Sequence, residues 1–251
     1  MSRLTVYFHG QPGSPGELAL FGGAVPAGWW APNRRLTGTT FADHCEALAA
    51  ELRARAAGRR VRLVGFSLGA FVALAVAARL PDLSLEIVLF SAAGPLGDGA
   101  VLRDMAGGAL FAMARRRPAL FGLVARGQAL AARLAPAWLA GALFRTATGA
   151  DRALWGRPDF RRAMAANLRA GPGRGAGAYA AEIVAYAGDW EALAAEVRHP
   201  VKLWHGGADG WSPPVLAQRL ARLLPGAEAP EVLPGLGHYS TLEAWLAAIE
   251  G

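Results

Sequence analysis

The chain has 251 residues, enough for one large domain with a sizeable core. Hydrophobic residues make up 53% and charged residues 18%, which excludes disorder over long stretches. No apolar run reaches the ~18–20 residues that a bilayer-spanning helix needs, and the single cysteine, Cys45, excludes an internal disulfide.

The first strand reads at Leu4 to Phe8, a β-rich run that ends at His9-Gly10. Gln11 to Gly16 is a Gly- and Pro-rich loop, and a short strand follows near Val25 to Ala31. Thr39 or Thr40 caps a helix whose apolar positions Phe41, Cys45, Leu48 and Leu52 recur at helical spacing, and Gly58 ends it. Val61 to Val64 is a buried strand, and Leu68 to Leu80 is a helix apolar nearly all round, stopped before Pro81. Further strands read at Leu85 to Phe90, Val201 to Trp204 and Glu231 to Leu233, with helices over Pro213 to Leu224 and Ser240 to Ile249.

This alternation predicts an α/β fold, a mostly parallel sheet of about six strands covered by helices on both faces. The stretch from Pro95 to Pro200 breaks the rhythm. It is rich in Ala, Leu and Arg and reads as several helices, broken near Pro118, Pro136, Pro158 and Gly171-Pro172-Gly173. The expected organisation is a core of residues 1–94 and 201–251 with a helical insertion at 95–200. The net charge is +7, and 25 of the 26 basic residues are arginine. Pro95 to Pro200 holds 14 Arg against 8 Asp or Glu, so it carries six of the seven net positive charges. No nucleic-acid-binding motif accompanies them, and no such partner is expected. The opening residues lack the apolar stretch and cleavage site of a secretory signal, so the expected location is cytoplasmic, with no stable membrane insertion.

The chemistry concentrates at strand ends. Gly65-Phe66-Ser67-Leu68-Gly69 is a G-x-S-x-G sequence between a short β run and an apolar helix. A serine presented at so sharp a turn needs small neighbours, because the backbone is crowded there. A serine hydroxyl also needs a positioned base, and His238 follows the last strand within Gly237-His238-Tyr239. A carboxylate must hold that base's tautomer; Asp209, after Val201 to Trp204, is the candidate, with Asp98 as its rival. The loop His9-Gly10-Gln11-Pro12-Gly13 offers a backbone N–H at Gln11 for a developing oxyanion, beside that of Leu68; Pro12 has none to give. The order Ser67, Asp209, His238 is that of one serine-triad architecture among several.

With FHGQPG (Phe8 to Gly13), GFSLG (Gly65 to Gly69), LWHGGAD (Leu203 to Asp209) and GLGHYS (Gly235 to Ser240), the chain resembles the α/β-hydrolase superfamily over almost its whole length. The resemblance implies nucleophile Ser67, acid Asp209, base His238, oxyanion donors Gln11 and Leu68, and a helical cap at 95–200. It departs from larger members in having no room before Leu4 for two further strands. The expected reaction is hydrolysis of a small-molecule carboxylic ester or thioester through an acyl-serine, with the basic insertion favouring an anionic substrate. Amide, peptide or C–C cleavage and acyl transfer use the same triad; an aminopeptidase would call on a carboxylate such as Glu182. A binding protein that keeps the fold without turnover is the reading of another class, and a membrane-surface role for the Arg-rich insertion is a third. Among the tryptophans, Trp29, Trp30, Trp138, Trp155 and Trp211 are candidates for a pocket wall. No cofactor or metal is expected: no P-loop, dinucleotide fingerprint or metal-spaced His/Cys cluster occurs.

Overall fold

The computed structural model describes residues 3–22, 26 and 28–250, with the side chains of 249 and 250 left aside. Six parallel strands form one sheet: β1 (Leu4–Phe8), β2 (Trp29–Trp30), β3 (Val61–Phe66), β4 (Leu85–Phe90), β5 (Val201–Gly206) and β6 (Glu231–Leu233), in the order β2-β1-β3-β4-β5-β6. The short second strand is Trp29–Trp30; Val25, in the stretch expected for it, lies outside the described residues.

Side chains alternate across the sheet as the pleat requires. Val61, Leu63, Ile87 and Leu89 enter one apolar layer, and Val64, Phe66, Val88 and Phe90 enter the other. Helices α1 (Phe41–Ala56), α2 (Leu68–Ala77) and α10 (Pro214–Leu223) help to fill the first layer; α11 (His238–Glu250) packs into the second. Thr40 starts α1 with a reciprocal capping box: its side chain accepts from Asp43 N, and the Asp43 carboxylate accepts from Thr40 N. All ten residues of α2 are buried, which explains why that segment shows no polar face.

Seven α-helices lie between β4 and β5: α3 (Gly108–Arg116), α4 (Pro118–Leu134), α5 (Pro136–Phe144), α6 (Asp151–Gly156), α7 (Pro158–Ala170), α8 (Ala176–Ala187) and α9 (Glu191–Glu196). Pro118, Pro136 and Pro158 each open a helix, where the missing N–H and fixed φ suit the first turn. These helices share the core of the sheet and have no separate one. Trp190, just before α9, lies 4.8 Å from the Phe71 ring of α2, and Tyr186 of α8 packs edge-on to the same ring. Among the described residues no helix is long and apolar enough to cross a membrane.

Candidate active site

Ser67 alone makes the turn from β3 to α2, with φ 55° and ψ −127°. Such a conformation costs an L-residue about 1–3 kcal/mol and persists only where its surroundings enforce it. Ser67 N–H donates to Phe90 O at 2.9 Å, and Ser67 O accepts from Ala93 N at 3.1 Å. The flanking glycines are needed for contact rather than flexibility. A Cβ on Gly69 would stand 2.1 Å from Phe8 O, and one on Gly65 would stand 2.7 Å from Ala70 Cα.

His238 is the first residue of α11, and its ring is buried. Its Nδ1 donates to Asp209 Oδ2 at 2.7 Å. Asp209 is also buried, and its Oδ1 accepts from Trp211 N and Ser212 N, each at 2.9 Å. The carboxylate is thus aimed by its own loop and the imidazole by the carboxylate, which leaves Nε2 free of that bond. Burial works against the charged ring. The Asp209 charge and hydrogen bond, helped by Asp151 and Glu17, outweigh it and hold His238 above the usual histidine range. Ser67 and His238 line the same cavity. Among the described residues no hydrogen bond joins the Ser67 hydroxyl to Nε2, and such bonds commonly tighten only on substrate binding.

A second group of contacts steadies both carboxylate and imidazole from the segment after α5 and the start of α6. Thr148 Oγ1 donates to Ala208 O and accepts from Gly210 N, straddling Asp209. Asp151 is buried and accepts from Tyr239 N at 3.0 Å and Ser240 N at 2.8 Å, in the first turn of α11 immediately after His238. Two of the N–H groups that a helix start leaves unpaired are satisfied this way. Gly237 makes room for that carboxylate: a Cβ there would lie 2.7 Å from Asp151 Cγ.

The loop after β1 is held by two buried carboxylates. Glu17 Oε2 accepts from Gly10 N at 2.8 Å and Tyr7 OH at 2.7 Å. Burial raises the Glu17 carboxyl from 4.5 to about 7, although both hydrogen bonds and the Arg34 charge pull it down. Glu182 of α8 accepts from Arg34 Nε at 2.8 Å, Arg34 Nη2 at 3.0 Å and Gln11 Nε2 at 2.6 Å. Arg34 Nη1 also donates to His9 O at 2.6 Å. Gln11 is therefore pinned through its side chain, while Leu68 opens α2 at the positive end of the helix dipole. Both line the cavity.

That cavity, of about 200 Å³, lies between the sheet's loops and the inserted helices. Its walls are mainly apolar, with Met105, Leu110, Phe111, Leu139, Leu143 and Ile183 among them. Tyr179 and Gln128, joined by a 2.9 Å hydrogen bond, add polar groups to the wall. Among the described residues, apart from His238 no titratable acid or base except tyrosine lines it, and no arginine does.

Other sequence candidates stand elsewhere. Asp98 is exposed and accepts from Ala100 N. Glu182 is sequestered by Arg34 and Gln11 and is no anchor for an amine. His205 is buried, donates Nε2 to Ser212 O at 2.6 Å and sits 3.6 Å from Asp209; burial lowers its pKa. Of the five tryptophans, Trp211 lines the cavity, Trp155 stacks on Phe144, Trp29 packs on Trp245, Trp30 lies under Arg55, and Trp138 is exposed. Asp151, Thr148 and Glu17 were not identifiable from sequence, because each acts through backbone groups distant in the chain or through a loop with no pattern of its own.

The chain matches the alpha/beta hydrolase family over residues 6–250 and belongs to it. No curated protein matches it. Among solved structures it is similar to a thermophilic esterase from Thermogutta terrifontis, with 19% identity, 99% of this chain and 86% of that one covered, and a TM-score of 0.66. It is similar to an enol-lactonase from Burkholderia xenovorans at 18% identity, covering 100% and 89%, with a TM-score of 0.65. A bromoperoxidase from Bacillus anthracis aligns at 18% identity over 100% and 93%, with a TM-score of 0.61. At these identities the likeness is one of fold.

Proposed function

We propose that this protein is a serine hydrolase that cleaves a carboxylic ester or thioester through an acyl-Ser67 intermediate. The observation that carries the reading is the buried 2.7 Å pair of His238 and Asp209, whose imidazole lines the same apolar cavity as a serine held at positive φ. In this mechanism Ser67 Oγ attacks the acyl carbon while His238 Nε2 takes its proton. The N–H groups of Leu68 and Gln11 receive the negative oxygen of the tetrahedral intermediate, where each such donor is worth about 3–4 kcal/mol. His238 then returns the proton to the departing alcohol or thiol. A water, deprotonated by the same nitrogen, attacks the acyl-serine, and His238 passes that proton to Ser67 Oγ as the acid is released. Asp209 keeps the proton on Nδ1, so that Nε2 is the basic nitrogen at each step.

The inserted helices act as a cap that shapes the acyl pocket. The pocket's lining favours a small neutral acyl group over the anionic substrate suggested by the charge of residues 95–200, since those arginines do not reach it. Labelling with a fluorophosphonate tests the central assignment. Wild type should be labelled covalently and Ser67→Ala should not; labelling that survives the substitution overturns the proposal. Neutral acyl esters and thioesters should then be turned over in preference to acyl groups bearing a carboxylate.

A further inference from the structure

Helix α4 is apolar on two opposite sides. Phe121, Ala125 and Ala132 are buried against the rest of the protein. Leu120, Leu123, Leu130 and Leu134 point the other way and are 41 to 70% exposed. At 3.6 residues per turn these four leucines fall within about 80° of one another, as a stripe along the helix. Trp138, four residues beyond Leu134 and 66% exposed, continues the exposed apolar surface onto α5. Five of the seven large hydrophobic residues exposed among the described residues therefore belong to α4 and α5. An ordinary surface helix presents polar residues on its outer side, and a clustered apolar patch of this kind marks an interaction site.

The charge around the stripe identifies the occupant. From Met105 to Ala150 the chain has six arginines, Arg115, Arg116, Arg117, Arg126, Arg133 and Arg145, and no Asp or Glu. All six are exposed, and among the described residues none forms an ion pair. Arg126 and Arg133 border the leucine stripe along one edge of the helix wheel, while Arg115 to Arg117 stand at its N-terminal end. A soluble partner need not be so uniformly acidic, whereas a bilayer with anionic headgroups offers both parts of the match: a negative plane for the arginines and an acyl boundary for the leucines and tryptophan.

We infer that the outer face of α4 and α5 docks this protein on the surface of an anionic lipid bilayer. The helices lie on that surface and do not cross it. Their inner sides contribute Gln128, Leu139 and Leu143 to the apolar cavity, so docking sets the cavity beside the lipid and shortens the path of a membrane-dissolved substrate. The docking itself does not depend on the hydrolase reading.

Co-sedimentation of the Ser67→Ala protein with vesicles tests it without turnover. The probes are phosphatidylcholine vesicles with and without admixed phosphatidylglycerol, at low and high salt. The expected result is binding to the anionic vesicles that weakens with salt. At about 1 kcal/mol per arginine near the surface, Arg126→Ala with Arg133→Ala should weaken it about 30-fold. Leu123→Glu with Leu130→Glu should abolish binding while the circular dichroism spectrum stays unchanged, and Val232→Glu, an exposed apolar site on β6, should have no effect. Absence of binding at low salt, or binding indifferent to the leucine substitutions, overturns the inference. So does a dimer in sedimentation equilibrium that dissolves with those substitutions, which would make the stripe a contact between two copies.

Discussion

Asp151 offers the sharpest test of how the His238 ring is held. The Asp151→Asn substitution keeps the side chain's volume but replaces one of two acceptor oxygens with an NH2 group. Either Tyr239 N–H or Ser240 N–H then faces a donor in a buried place. An unsatisfied buried donor costs about 1–3 kcal/mol, and losing a carboxylate at a helix start adds about 0.3–1 kcal/mol. Taking about 2 kcal/mol in a domain of this size, Tm should fall by roughly 4–8 °C. The same carboxylate helps to hold His238 above the usual range, and the imidazole must be neutral to accept a proton. Removing the charge lowers the His238 pKa, so the acid limb of kcat/KM should move to lower pH in Asp151→Asn. The assay is ester hydrolysis across pH, paired with an NMR titration of the His238 ring, which does not require activity. A fall in Tm with both limb and ring titration unmoved would reduce Asp151 to a structural cap and refute the electrostatic argument.

Two further outcomes follow from the buried charges. The Glu17 carboxyl is raised from 4.5 to about 7, so its contribution to stability is fully present below pH 4.5 and is lost as pH rises toward and through 7, by roughly 3 kcal/mol in all. Denaturant titrations of wild type and Glu17→Gln should therefore diverge over that window, with the variant's profile flatter; parallel profiles would show that Glu17 titrates as an ordinary glutamate. The Arg34–Glu182 pair is sealed from solvent, so either Arg34→Met or Glu182→Leu alone should cost about 3–5 kcal/mol, while the double substitution recovers much of the loss. Chemical denaturation of the four proteins measures this, and strictly additive losses would argue against a direct pairing.

The sheet was readable because most of its strands are short apolar runs, and the helices of the insertion because Pro118, Pro136 and Pro158 sit where helices begin. The sequence narrows the α1 cap to Thr39 or Thr40, and the structure gives it to Thr40 with Asp43 as its reciprocal partner. What local patterns cannot show is which distant elements meet. Asp151 acts on Tyr239 and Ser240, 88 and 89 residues away. The same contact explains why α11 begins at His238 rather than Ser240, where the sequence suggests a start: its first turn is capped from another helix. Total charge likewise carries no position. The arginines of residues 95–200 point to an anionic substrate only if they face the pocket, and its lining contains none of them.

The stretch from Thr146 to Asp151 also determines how freely the inserted helices could be exchanged between relatives. Thr146 holds the Trp211 indole, Thr148 grips both sides of Asp209, and Asp151 starts the helix that begins with His238. Six residues of the insertion therefore behave as a fixed mount for the two loops beneath it. A graft that replaced everything from Pro95 to Pro200 would remove this mount along with the pocket wall. The exchangeable unit is smaller: α3 to α5, which line the cavity on one side and face outward on the other, with its downstream seam placed before Thr146.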